Sequence, residues 1–494
     1  MGIIARQAVR NTILTYVGIG LGFLNVVLLY PKVLDSAEFG LTRLLLSVCI
    51  ITAQIAQLGA ENTVVRYFPY FRDPARGNRG LLGMLLLFGT LVSLAAMVVL
   101  GAMHGLLSEV ISDRNALYGR YGLLVLPLVL SEIFFILLRS YSRSLRRAVQ
   151  PVFIREFLLR LLQTVLIAVQ WAWPMPFGWF MAAYAGIFLL TTLALAWDLY
   201  RAGEFVVAWR QRWLPGRLRR SMGVYGLYTL LTGLAGIALG NLDQLMIGAL
   251  LGDGLKYVAY YAVGFYFGSV IAAPTRALQQ VAMPLLADAW KRNDRATIDD
   301  LYKRSSLVQT LAGGYLFLMV WACSSELLAW LSPEYAMAGG ISVVVAASYF
   351  VLGMNGLAPS IIGMSRSYTV ETWGSIGLLF VNASAGFFLI RLYGPIGAAW
   401  GTFCGTLLIT VSRTVHLWRT HGLLPFDRRT LLLVVAVALV GILAQLLPVP
   451  GPAWTVLLVK GAAATLAYAI VVYLTGAMAE IRRWVRSVQK PASR

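Results

Sequence analysis

Apolar runs of about twenty residues recur along the whole chain, parted by short turns that hold most of its charges, prolines and glycines. As helices, such runs cross a hydrocarbon core about 30 Å thick. Backbone in lipid must satisfy its own hydrogen bonds, which leaves only helices and closed barrels. A barrel would show alternating segments of about ten residues, and these runs do not alternate. Charged residues are only 13% of the 494, against about a quarter in soluble chains. The chain reads as an all-α polytopic membrane protein.

Fourteen spans are predicted, at 11–31, 39–60, 80–103, 116–138, 152–172, 175–198, 221–250, 256–280, 305–325, 336–360, 369–390, 395–417, 430–448 and 453–475. The first ends in "VVLLYPKVLDSAEF" without a small-residue cleavage site, so it is expected to be a retained helix. With the N-terminus inside, most of the 41 lysines and arginines fall on inside segments. The outside turns "QWAWPMPFGW" and "PVPGPAW" carry no charge. This bias follows the positive-inside rule and puts both termini in the cytoplasm. It also accounts for the net charge of +20 as a topology signal against anionic lipid, so no nucleic acid is needed to explain it.

Cys49, Cys323 and Cys404 lie in apolar spans without CxxC spacing and read as buried small hydrophobes. His104, His416 and His421 make no HExxH-like spacing, and no phosphate-binding loop or nucleophile elbow occurs. No cofactor or metal is expected. The short outside turns hold no paired carboxylates, only the sparse charges Asp35, Glu38, Glu109, Asp113, Glu326 and Glu334. That disfavours an enzyme.

One gapless shift carries "GIGLG" at Gly18 onto "GIALG" at Gly236, Asn25 onto Asp243, Asp35 onto Asp253 and Phe39 onto Tyr257. It displaces span 1 onto span 7, so both copies keep one orientation. This predicts two six-helix lobes, 1–200 and 221–420, related by a pseudo-two-fold axis along the membrane normal. A basic, Trp-bearing linker at 201–220 should lie in the cytoplasmic interface. Spans 13 and 14 (421–478) are an appendage, followed by a basic cytoplasmic tail at 479–494.

Three stretches carry a family resemblance: "LDQLMIGALLG" leading through "VAYYAVG", "QLGAENTVVRYFP" at 57–69, and "FVNASAGFFLIRLYGPIGAAWGTFCG" at 380–405. With the Pro-Glu-Tyr turn at 333–335, they resemble the polysaccharide-transporter branch of the multidrug/oligosaccharidyl-lipid/polysaccharide exporter superfamily. The resemblance covers nearly the whole chain. It implies a flippase that moves an undecaprenyl-pyrophosphate-linked oligosaccharide across a bacterial inner membrane for cell-surface polysaccharide assembly. The partners implied are the lipid-linked oligosaccharide, membrane lipids and a polysaccharide polymerase complex, with the protein a monomer.

A hydrated sugar-pyrophosphate needs a path lined by polar groups and cations. Arg276 lies deep in span 8, where some lipid-flipping relatives place a cavity arginine, and Arg43 begins span 2. Pyrophosphate contact is one reading of each; snorkelling of Arg276, or an interfacial anchor or Glu38 pairing for Arg43, is the other. Asn25, Gln54, Gln57 and Asn382 are candidates for sugar hydroxyls or equally for helix–helix hydrogen bonds. Asp243 and Glu132, in apolar spans, are candidates for coupling to a proton or sodium ion or for structural packing and ion pairs, and Asp243 also for a place on the substrate side. Glu371 and Lys460 read as snorkelling residues. Span 1 has no arginine, a departure from the lipid II flippases. A cation-coupled drug antiporter of the same fold, a lipid II flippase and a scaffold for an envelope-synthesis complex stay open.

Overall fold

The computed structural model describes residues 3–73, 77–112, 116–207, 215–365 and 367–476, and these form helices and turns with no strand among them. Two compact units divide the chain, Met1–Ala262 and Val263–Arg494. The first holds α1 (Ile3–Phe23), α2 (Ser36–Ala56), α3 (Ala60–Phe71), α4 (Leu81–Ser112), α5 (Ala116–Tyr121), α6 (Val125–Ser144), α7 (Leu159–Ala172), α8 (Phe177–Arg201) and α9 (Gly216–Leu250). The division falls within α10 (Gly254–Ser269). The second unit continues with α11 (Ala272–Lys291), α12 (Arg295–Leu328), α13 (Ala338–Met354), α14 (Ala358–Met364), α15 (Tyr368–Tyr393), α16 (Pro395–His421), α17 (Arg428–Leu446) and α18 (Ala453–Thr475).

Among the described residues, eleven helices are long and apolar enough to cross a membrane. A bent pair in α9, Gly216–Ile237 and Leu239–Leu250 at 67°, makes a twelfth. The shortfall from fourteen lies at 152–172, where Arg155, Glu156 and Arg160 interrupt the apolar run, and at 256–280, where the helix breaks. At the first, a π-helical turn, Phe153–Leu158, precedes the 14-residue α7. At the second, the 16-residue α10 stops at Ser269 and α11 starts at Ala272. Elsewhere the helix outruns the hydropathy: the expected 39–60 span lies within Ser36–Phe71, with a turn at 57–59.

Acidic turn residues set several starts. Asp35 and Glu38 form a capping box at α2, Asp35 accepting from Ala37 N at 3.1 Å. Asp294 caps α12 through Thr297, whose hydroxyl and backbone hydrogen bonds hold the aspartate below the usual carboxylate range. Asp427 caps α17 through Thr430 N at 2.7 Å. The linker expected at 201–220 is partly helix: Arg217, Arg219 and Arg220 form the first turns of α9. Residues 208–214 and the tail after 476 lie outside the described residues.

In the first unit, α9 packs along α2, where Ser47 Oγ meets Gln244 Oε1 at 3.0 Å and Asn241 Oδ1 at 3.2 Å. In the second, α15 and α16 form a hairpin turned at Gly394, φ 65°. A Cβ on Gly397 would lie 2.0 Å from the Leu389 carbonyl oxygen, which is why the glycine-rich motif at 394–401 has this composition. The appended helices α17 and α18 share an apolar cluster with α12, including Leu318, Leu433, Val437 and Tyr468. Tyr468 donates from its hydroxyl to the Leu311 carbonyl at 2.7 Å.

Candidate functional site

The polar interior of the first unit is built where α2, α6, α8 and the Phe153–Leu158 turn bring long side chains together. Glu132 of α6 is buried and pairs with Arg155 of that turn at 2.8 Å. The Arg155 guanidinium lies 5.4 Å from the Phe135 ring centre and 5.5 Å from that of Phe188. Arg43, on the first turns of α2, stacks over Tyr30 at 5.0 Å and Phe39 at 5.3 Å, and those two rings stack on each other. Tyr184 of α8, fully buried, stands within electrostatic reach of both Arg43 and Arg155. The cluster thus gathers two cations and one carboxylate among aromatic faces, which hold guanidinium charge at little cost.

Arg155 is the residue the sequence reading missed. It counted there as one more inside charge, yet it closes the ion pair that Glu132 lacked. The pair spans 23 positions and two elements, beyond any helical spacing. A signal was present in "IREFLLR", where a charged trio interrupts an apolar segment. That stretch is the π-helical turn, and such turns concentrate at functional sites. A second π-helical turn, Leu24–Leu29 at the end of α1, packs against α7.

Asn25 sits in that second turn and is buried as a clamp. It donates from Nδ2 to the Arg160 carbonyl at 2.9 Å and accepts from Thr164 Oγ1 at 2.7 Å. Asn382 donates to Thr402 Oγ1 at 2.7 Å, joining α15 to α16. Gln57, at the end of α2, accepts from Glu61 N at 2.8 Å. Gln54 is buried with its amide against Gly233 of α9. Of the two readings held for these four, the geometry supplies helix-to-helix or backbone partners for Asn25, Gln57 and Asn382.

Asp243 is fully buried in α9, just past the bend at Leu239 and Gly240, and accepts from the Tyr261 hydroxyl of α10 at 2.5 Å. Arg276 lies on α11 with its side chain exposed, beside the Thr275–Gln309 hydrogen bond of 2.7 Å. Three readings are corrected. Lys460 does not snorkel but pairs with Glu326 at 2.7 Å, tying α18 to α12. Glu371 accepts two hydrogen bonds from Arg413, that from Nε at 2.9 Å. Partial burial of both partners favours pairing over reaching for the headgroups, because each charge then has a counter-charge in place of lost water. Cys404 is exposed rather than buried, while Cys49 and Cys323 are buried.

Residues 32–332 match the model of a family described as polysaccharide biosynthesis protein. The chain belongs to that family. Its fold is that of the multidrug/oligosaccharidyl-lipid/polysaccharide exporter superfamily, as three solved structures show. A lipid II flippase MurJ in an inward closed conformation aligns with TM-score 0.75 at 11% identity, over 94% of this chain and 98% of that one. An inward-facing multidrug resistance MATE family transporter aligns with TM-score 0.62 at 14% identity, over 83% and 96%. A transporter of the superfamily from Pyrococcus furiosus, described as having a binding pocket of reverse polarity, aligns with TM-score 0.54 at 13% identity, over 84% and 95%. No match is found among curated proteins.

Proposed function

We propose that the protein is a flippase that moves a lipid-linked oligosaccharide, carried on undecaprenyl pyrophosphate, outward across a bacterial inner membrane by alternating access. In this reading the chain crosses fourteen times with both termini cytoplasmic, the charge-bearing segment at 152–172 and the broken one at 256–280 counting as crossings. It is a transporter and not an enzyme. One observation carries the choice of cargo. Glu132, Glu326 and Glu371 each pair with a cation, leaving Asp243, on a tyrosine hydroxyl, to weigh against two arginines, Arg43 and Arg276, that have no acid partner among the described residues. The surplus along the spans is therefore positive, which suits a pyrophosphate and not a cationic drug. The family description, polysaccharide biosynthesis, supports the same cargo class.

Complementation of a strain lacking its own oligosaccharide flippase tests this. Arg276→Ala should abolish surface polysaccharide at unchanged membrane abundance, and Arg276→Lys should restore part of it. Full function of the alanine variant would remove Arg276 from the path. A cation-coupled small-molecule antiporter, the second reading, would instead survive both substitutions and lose transport with Glu132→Gln or Asp243→Asn.

A further inference from the structure

Two apolar cavities lie in the first unit, one of about 590 Å³ and one of about 390 Å³. Both run between α2–α3, α4 and α9, and Leu58 lines both. Of all their lining residues only Thr52, Gln57, Thr63 and Tyr118 carry a polar side-chain atom. Gln57 and Thr63 are already bonded to nearby backbone. On α4 the lining runs from Met84 to Met103, about 29 Å of helix at 1.5 Å per residue. That equals the thickness of a hydrocarbon core, about 30 Å.

Leu58 marks the junction by strain as well as by position. It takes φ 49°, the left-handed region, in the turn between α2 and α3, and its side chain is 51% exposed. A leucine held there costs the backbone roughly 1–2 kcal/mol, and such strain is found where structure serves a site. At the Thr63 end the groove meets positive charge. Arg66, one turn beyond Thr63, is exposed and lies 4.2 Å over the Tyr225 ring, one turn from the lining residue Met222. Tyr67 bonds Ser221 across this mouth at 2.8 Å, and Arg217, Arg219 and Arg220 follow on α9.

We propose that this groove seats the polyprenyl chain of a lipid whose phosphate end lies at Arg66. The proposal rests on the flippase reading and specifies how its cargo is held. The lining excludes a sugar, which would lose hydration without replacement. An ordinary phospholipid chain reaches through one leaflet only, whereas the lining covers the full core. A chain long enough to fill it, ending in an anion, matches both the length and the charged mouth.

Photolabelling of the full chain in nanodiscs tests this, using a diazirine-bearing polyprenyl pyrophosphate and, in parallel, a diazirine-bearing phosphatidylglycerol. The prenyl probe should label peptides holding both Met84–Phe88 and Val99–Met103. About a tenfold excess of unlabelled polyprenyl pyrophosphate should cut that labelling about tenfold, as competition for one site requires, and the same excess of phosphatidylglycerol should not. Ala95→Trp, or Val99→Trp if the former fails to accumulate, should remove the Val99–Met103 label while leaving unchanged the uncompeted background label on exposed Leu193 of α8, away from the groove. Arg66→Ala should erase the preference for polyprenyl pyrophosphate over polyprenol, and Arg66→Lys should keep part of it. Labelling that follows surface exposure everywhere, or that phosphatidylglycerol competes equally, means bilayer lipid only and overturns the proposal. Flipping is measured on the same preparations. A wild type that flips no lipid-linked oligosaccharide yet shows competed labelling sinks the flippase reading alone. Normal flipping with uncompeted labelling sinks the groove alone.

Discussion

Glu132 and Arg155 show how a buried charge is kept at residue scale. Each ion gave up water, and the return is one short pair plus two aromatic faces around the guanidinium. Removing one partner leaves the other charge uncompensated, at a cost of about 3–5 kcal/mol, whereas replacing both by apolar groups of like volume is near neutral. Glu132→Gln should therefore lower the unfolding midpoint in detergent and the membrane abundance. Glu132→Leu combined with Arg155→Met should restore most of both. A Glu132→Gln protein as stable as wild type would mean that the pair does not hold the fold, and would return Glu132 to the coupling candidates. The carboxylate itself was plain in the sequence, since an acid in "LPLVLSEIFFILL" stands out. Its partner was not, because an ion pair between separate helices leaves no periodic trace.

At the scale of elements, hydropathy reads how apolar a segment is and is blind to where its helix breaks. Of the two segments that fall short of a full span, 256–280 is interrupted by a turn at 270–271, whereas 152–172 stays helical through a π-helical turn and falls short because Arg155, Glu156 and Arg160 lower its hydropathy. Both glycine-rich copies of the repeat lie close to an irregular backbone, a π-helical turn at Leu24–Leu29 and a bend at Leu239–Gly240, although the shift does not place one on the other. Glycine also marks sharp turns. The α2–α3 turn makes the point testable. Gly59 takes φ 74°, and a Cβ there would stand 1.9 Å from the Gly226 carbonyl oxygen of α9. The left-handed backbone alone costs a non-glycine residue about 1–2 kcal/mol, and the clash adds to it. Gly59→Ala should reduce folded protein recovered from the membrane. Gly20→Ala, where an added Cβ meets nothing within 4 Å, should leave recovery unchanged or raise it. Equal recovery of the two variants would show that α3 and α9 separate freely at this point.

For the whole molecule, the membrane class and the family were legible because both rest on features that survive without coordinates: run length, charge alternation and small-residue motifs. The path was only half legible. Sequence nominates charged and amide residues in apolar spans, but it does not say which are already spoken for, and Asn25, Gln57 and Asn382 are. The same pairing bears on energy supply. An acid that couples transport to a cation must change between ionised and neutral forms as the protein alternates. Glu132, Glu326 and Glu371 instead sit against cations, and Asp243 against a tyrosine hydroxyl. An anionic headgroup has another source of work, since an inside-negative potential favours its outward passage by about 2.3 kcal/mol per charge per 100 mV. That is roughly a 50-fold bias per charge at 1.4 kcal/mol for each factor of ten. In proteoliposomes, outward flipping of lipid-linked oligosaccharide should rise with an imposed inside-negative potassium diffusion potential. It should not respond to collapse of proton or sodium gradients at constant potential. If flipping instead follows one of those gradients, and Asp243→Asn or Glu132→Gln abolishes that response at normal abundance, then the carboxylate concerned is the coupling site. Its partner, Tyr261 or Arg155, would then have to release it in each cycle, so the distance across that pair should change between inward- and outward-open states.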